Sequence, residues 1–114
     1  MAKNDYHVIV AIVLRYLYTC LKTGKSIDSA LLSPEELEIN DEYWEYIFRN
    51  LSKAGYVNGV VCRKINGCGK EQVKVYYERL EITPEGIEYL QENSTIKKAL
   101  EVADKLKDFI PLIF

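Results

Sequence analysis

The apolar positions of this chain change period several times, and those changes outline the fold. Ile9, Ile12, Val13, Tyr16, Leu17, Cys20 and Leu21 recur at helical spacing. Asn4 or Asp5 can cap that helix, and Gly24 stops it after Thr23. Val8, Val10, Ala11 and Leu14 spread the apolar surface beyond one stripe, which predicts a central helix packed on two sides. Ser26 to Ala30 reads as a short extended segment. "SPEELEI" then carries a start signal: Ser33 as N-cap, Pro34 in the first turn and Glu36 completing a capping box. Asn40 or Asp41 restarts the chain into a third helix, with Tyr43 or Trp44, Ile47, Phe48 and Leu51 as its core stripe and Gly55 as its left-handed stop.

From Tyr56 the period drops to two. Tyr56 to Arg63 and Glu71 to Ile82 read as strands, joined across Lys64 to Lys70 by an Asn66-Gly67 hairpin turn. Val73, Val75 and Tyr77 share one face. Leu80 and Ile82 have the opposite parity, which predicts a bulge or strand end near Glu78 or Arg79. Thr83 and Pro84 then open a fourth helix to Glu92, with Ile87 and Leu90 facing inward. Gly86 lies inside that helix, where it costs about 1 kcal/mol relative to Ala. Its presence there predicts a close approach by a neighbouring backbone. Asn93-Ser94 separates a fifth helix, Thr95 to about Phe109, whose stripe is Ile96, Ala99, Leu100, Ala103, Leu106 and Ile110. The chain closes on the apolar "FIPLIF".

Helix, short helix, helix, hairpin, helix, helix is the order of an α+β winged helix-turn-helix with a β-hairpin wing and additional N- and C-terminal helices. The expected organisation is one domain over residues 1–114. Its helix-turn-helix core spans about 33–55, the wing about 56–82 and the C-terminal helices about 84–110.

The pieces Gly55-Tyr56-Val57-x-Gly59-Val60, Thr83-x-x-Gly86 and Tyr89-Leu90-x-Glu92-Asn93, with the amphipathic tail helix, resemble the YjcQ-type family. These are small winged-helix proteins of Gram-positive bacteria and their phages. The resemblance covers Leu51 to Ile110; the first fifty residues agree in layout. It implies DNA binding and supplies no established active site.

Composition narrows the function. The 114 residues carry a net charge of −2, with 48% hydrophobic and 28% charged residues, which suits a globular chain and does not advertise nucleic-acid binding overall. Val8 to Leu14 is too short to span a bilayer, no secretory leader is recognisable, and three cysteines cannot all pair; a cytoplasmic protein is expected. Catalysis finds little support, since His7 stands alone without a nucleophile elbow or phosphate loop. Cys62 and Cys68 have five residues between them and lack two further ligands at zinc spacing, so neither a metal nor a cofactor is expected. A strained disulfide between them would need an oxidising sample.

Local charge points two ways. Over the third helix, Asp41, Glu42 and Glu45 outnumber Arg49 and Lys53, and carboxylates at the end that would enter a major groove repel phosphate. In the wing, Arg63, Lys64, Lys70 and Lys74 face only Glu71, and a basic hairpin tip can grip a DNA backbone. The leading expectation is a winged-helix DNA-binding regulator or accessory protein of phage or mobile-element type. Arg63, Lys64, Lys70 and Lys74 would contact double-stranded DNA, with Arg49 and Lys53 in support. The alternative is a protein-interaction module without DNA activity, acting through the acidic third helix, the tyrosines and the apolar terminal helices. The first and fifth helices are expected to pack on each other within the chain, with homodimerisation as the other use of their apolar surface.

Overall fold

The computed structural model describes residues 1–64, 69 and 71–104. Within them the fold is α+β, with four helices and two small antiparallel sheets. The helices are α1 (Tyr6–Thr23), α2 (Asp41–Lys53), α3 (Pro84–Glu92) and α4 (Ser94–Asp104). The strands are β1 (Val57–Asn58), β2 (Val60–Lys64), β3 (Glu71–Val75) and β4 (Glu81–Ile82).

Helix α1 is the axis of the core. Val8 through Leu14, Tyr16 and Leu17 are all buried, so the surplus apolar faces are covered within one chain. The expected pairing of the first and last helices is present: α4 packs along α1 through Ile96, Ala99 and Ala103, and α3 and β4 also contact α1. Arg15 and Asp104 pair across the α1–α4 contact at 2.5 Å. Leu21 departs from its expected place in the stripe and is 51% exposed.

The predicted punctuation operates at most boundaries. The Gly24 N–H donates to the Cys20 carbonyl with φ +70°. The Tyr43 N–H donates to Asn40 Oδ1 at 2.8 Å, which makes Asn40 the cap of α2. Gly55, at φ +77°, lets the Tyr56 N–H reach back to the Leu51 carbonyl and ends α2. Trp44 rather than Tyr43 takes the buried position on α2, and its ring packs on Phe48 with centroids 4.4 Å apart. Asp5 stands at the α1 N-cap position without a side-chain bond to the helix.

Three expectations change. The short helix after Ser33 is one turn. Ser33 caps it as expected, its Oγ accepting the Glu36 N–H. Glu38 then enters the left-handed region at φ +56°, and the Ile39 N–H closes back to the Pro34 carbonyl. Asn40 has to remain extended to cap α2, so too few residues separate the two caps for a longer helix. Ser26 to Ala30 is not a strand, because Asp28 turns the chain: its Oδ1 accepts the Ala30 N–H and its carbonyl accepts those of Leu31 and Leu32. Finally, each long strand divides in two. Asn58 pairs with Glu81 and Val60 with Val75, so Gly59 alone stands opposite the five residues Tyr76–Leu80. Of the expected bulge or strand end the chain takes the second: β3 ends at Val75, and a looped excursion supplies the parity change that buries Leu80 and Ile82.

Helix α3 starts as predicted, with the Gly86 N–H donating to Thr83 Oγ1 at 3.0 Å. Leu90 is buried, whereas Ile87 is half-buried against the core edge. Asn93 Oδ1 accepts the Ile96 N–H and caps α4. The Asn66-Gly67 turn, Cys68, Lys70, the end of the fifth helix and "FIPLIF" lie outside the described residues.

Candidate nucleic-acid interface

The antiparallel β2–β3 register decides which of the candidate cations share a face. Lys64 pairs with Glu71, Arg63 with Gln72 and Val61 with Lys74. Side chains alternate along each strand, so Lys64 and Glu71 project to one side, while Arg63, Gln72 and Lys74 project to the other. Helix α2 packs against β2 and β3. The five described members of the six-residue set are consequently split, Lys70 lying outside the described residues.

Arg49, Lys53 and Lys64 fall in the cleft between α2 and the hairpin. This cleft, of about 490 Å³, is also lined by Glu42, Glu45, Tyr46, Gly69 and Glu71. Lys53 Nζ bonds Glu71 Oε1 at 2.7 Å. That bond, with the charge of Lys53, Arg49 and Lys64, holds the Glu71 carboxyl below its ordinary range against an opposing cost of desolvation. Three cations meet three carboxylates among the described lining residues, which together offer no net positive charge to a phosphate. Arg49 Nε is buried without a hydrogen-bond partner among the described residues, although the rest of the side chain is partly open.

Arg63 and Lys74 lie together on the outer face. They line a recess of about 160 Å³ with Val61, Gln72 and Tyr76, and no carboxylate stands among these described lining residues. Lys74 Nζ is 5.2 Å from the Tyr76 ring centroid, within cation–π range. Arg63 and Lys74 are both exposed. Strand alternation already separates Arg63 from Lys64, a signal that grouping the cations by sequence proximity passes over. Tyr76 joins the candidate set, and its signal was its two-residue spacing from Lys74.

His7 is half-buried and meets the edge of Tyr6, with ring centroids 5.2 Å apart. Cys20 is buried and Cys62 partly so, both as free thiols. Among the described residues no three histidine, cysteine, aspartate or glutamate side chains gather in a way that would hold a metal ion, and no helix is long and apolar enough to cross a membrane.

No curated protein and no solved structure matches the chain. One family model does, described as "YjcQ protein", over residues 12–109. The match takes in most of α1 and the whole α2–hairpin–α3–α4 succession, so it reaches well beyond the motifs that follow Leu51. The chain belongs to the YjcQ family.

Proposed function

We propose that this chain is a winged-helix regulator or accessory protein that grips the DNA backbone with the outer face of its hairpin. The succession of α1, the capped turn at Ser33, α2, hairpin, α3 and α4 fits that architecture, with α2 in the place of the recognition helix. The observation that carries the proposal is the segregation of charge across the hairpin. Arg63 and Lys74 stand with Gln72 and Tyr76 away from any lining carboxylate, while Arg49, Lys53 and Lys64 are offset by Glu42, Glu45 and Glu71. Asp41 and Glu42, both exposed at the start of α2, disfavour base reading from that end. Backbone contact through the hairpin, salt-sensitive and weakly dependent on sequence, follows from that distribution.

Anisotropy titration of a labelled duplex at two salt concentrations tests it. Arg63→Ala/Lys74→Ala removes two phosphate contacts and lowers the salt slope by about 2. Lys53→Ala leaves binding nearly unchanged. Folded protein that binds no duplex at low salt overturns the reading.

A second reading rests on Tyr46, which is 51% exposed on α2 and meets the edge of Tyr6 at 6.0 Å between ring centroids. An exposed tyrosine among carboxylates suits a protein interface. Light scattering that finds a monomer at high concentration removes self-association as the form of that interface.

A further inference from the structure

Helix α3 carries Glu85, Glu88 and Glu92, all exposed, and no lysine or arginine. Their spacing of three and four residues places them as neighbours along one helix flank, an arrangement that destabilises an isolated helix. Glu85 sits in the first turn, where the helix dipole favours it, but Glu92 sits in the last, where the dipole opposes it. None of the three takes part in an ion pair or accepts a side-chain hydrogen bond among the described residues. Beyond the dipole at Glu85, the fold itself therefore gains nothing visible from this row of charge.

The row borders a groove of about 390 Å³, completed by Tyr56, Tyr89 and Asn93. The Tyr56 and Tyr89 rings are stacked, with centroids 4.4 Å apart and planes 16° from parallel. Tyr6 lies close enough to feel both, and it links them to the exposed Tyr46. Carboxylates and tyrosine faces are thus brought together by α3 and the β1 entry, on residues separate from the α2–hairpin cleft and from the outer hairpin face.

We propose that this groove docks an arginine-bearing segment of a partner protein. A guanidinium forks onto carboxylates and stacks on aromatic rings, so it satisfies both components of the groove at once. A phosphate backbone would meet only repulsion from the same three glutamates. The groove and the cationic hairpin face are then two surfaces of opposite preference. The inference is independent of DNA contact through the hairpin, and either can fail alone.

The test is anisotropy titration of a labelled arginine–glycine repeat peptide against the full chain, with a glutamate–glycine peptide as control. Glu85→Gln/Glu88→Gln/Glu92→Gln should weaken arginine-peptide binding on the order of tenfold. It should leave the melting temperature unchanged or raised, because like-charge repulsion is removed. Asp41→Asn/Glu42→Gln, which removes carboxylates from the start of α2, should change binding by less than about twofold on the same scale. Tyr89→Leu should weaken binding with the glutamates intact. Equal loss in the two charge variants would mean diffuse attraction to an acidic surface and would overturn the proposal, as would absence of arginine-peptide binding by the wild-type chain.

Discussion

Gly86 lies so close to Tyr56 that a Cβ at position 86 would overlap the Tyr56 carbonyl oxygen and stand 2.8 Å from Ile82 Cγ1. The contact cannot relax cheaply. The same Tyr56 carbonyl accepts the Thr83 N–H at 3.0 Å, and the Thr83 hydroxyl donates to the Gly55 carbonyl at 2.6 Å. The first turn of α3 is thereby fastened to the end of α2, with Gly86 at the junction. Helix propensity alone would make Gly86→Ala stabilising by about 1 kcal/mol. The expected outcome has the opposite sign, a loss of about 1–3 kcal/mol from overpacking, with Gly86→Val losing more. Urea unfolding of the two variants measures it. A stabilised Gly86→Ala would show that the Tyr56 carbonyl yields.

That close approach was legible in the sequence because a glycine inside a capped helix conflicts with local propensity. Caps and stops were legible for a similar reason: Asn40, Thr83, Gly24 and Gly55 each act within a few residues of themselves. The failures involve relationships across the chain. Nothing local says that Gly59 stands opposite five residues, because the Tyr76–Leu80 excursion is set by how β4 meets β1. Strand alternation parts Arg63 from Lys64, but nothing local says which of their two faces meets the carboxylates of α2, since that depends on where α2 packs. The Ser33 cap was correct as a start, without a return bond from the Glu36 side chain, and silent about length, which the next cap at Asn40 fixed. The glutamates of α3 were visible as letters. Their meaning depended on Tyr56, brought beside Tyr89 by the fold.

Gly59 gives a second backbone prediction. Its φ of +94° is poorly accessible to residues with a side chain, and a Cβ there would meet the Leu80 nitrogen at 2.6 Å and the Arg79 oxygen at 2.7 Å. Both faults act on the excursion that restores the register of β4. Gly59→Ala should cost about 2 kcal/mol or more, combining left-handed strain with overpacking. Hydrogen exchange should show the added opening at Glu81 and Ile82 first. Uniform loss of protection over all elements would mean that the excursion and the core open together.

Leu90 and Ile87 separate the inward and lateral faces of α3. Leu90 is 5% exposed within the core, and Leu90→Ala should cost about 2–5 kcal/mol. Ile87 is half-buried, so less apolar surface returns to water on truncation and a smaller cavity remains. Ile87→Ala should therefore cost clearly less than Leu90→Ala in the same denaturation series. Equal losses would place Ile87 in the core and require α3 to be rotated about its axis.

The alkaline limit of stability should be set partly by tyrosine. Burial raises Tyr6, Tyr16, Tyr43, Tyr77 and Tyr89 above the ordinary tyrosine value. Two of the hydroxyls hold structural hydrogen bonds that need their proton: Tyr43 donates to the Asn4 carbonyl at 2.8 Å and Tyr77 to the Leu32 carbonyl at 2.9 Å. Tyr16 differs, since its oxygen accepts the Asp28 N–H, which favours the anion, yet burial outweighs that bond. A folded value raised above the unfolded one means that the native state keeps its proton longer. The associated stability is fully present below about pH 10, the unfolded value, and is lost as pH rises through the folded values. Tyrosinate absorbance followed together with far-ultraviolet dichroism should show ionisation of these groups lagging behind the urea-unfolded chain. It should coincide with loss of helicity. Full ionisation near pH 10 with helicity intact would contradict the burial assigned to these five side chains.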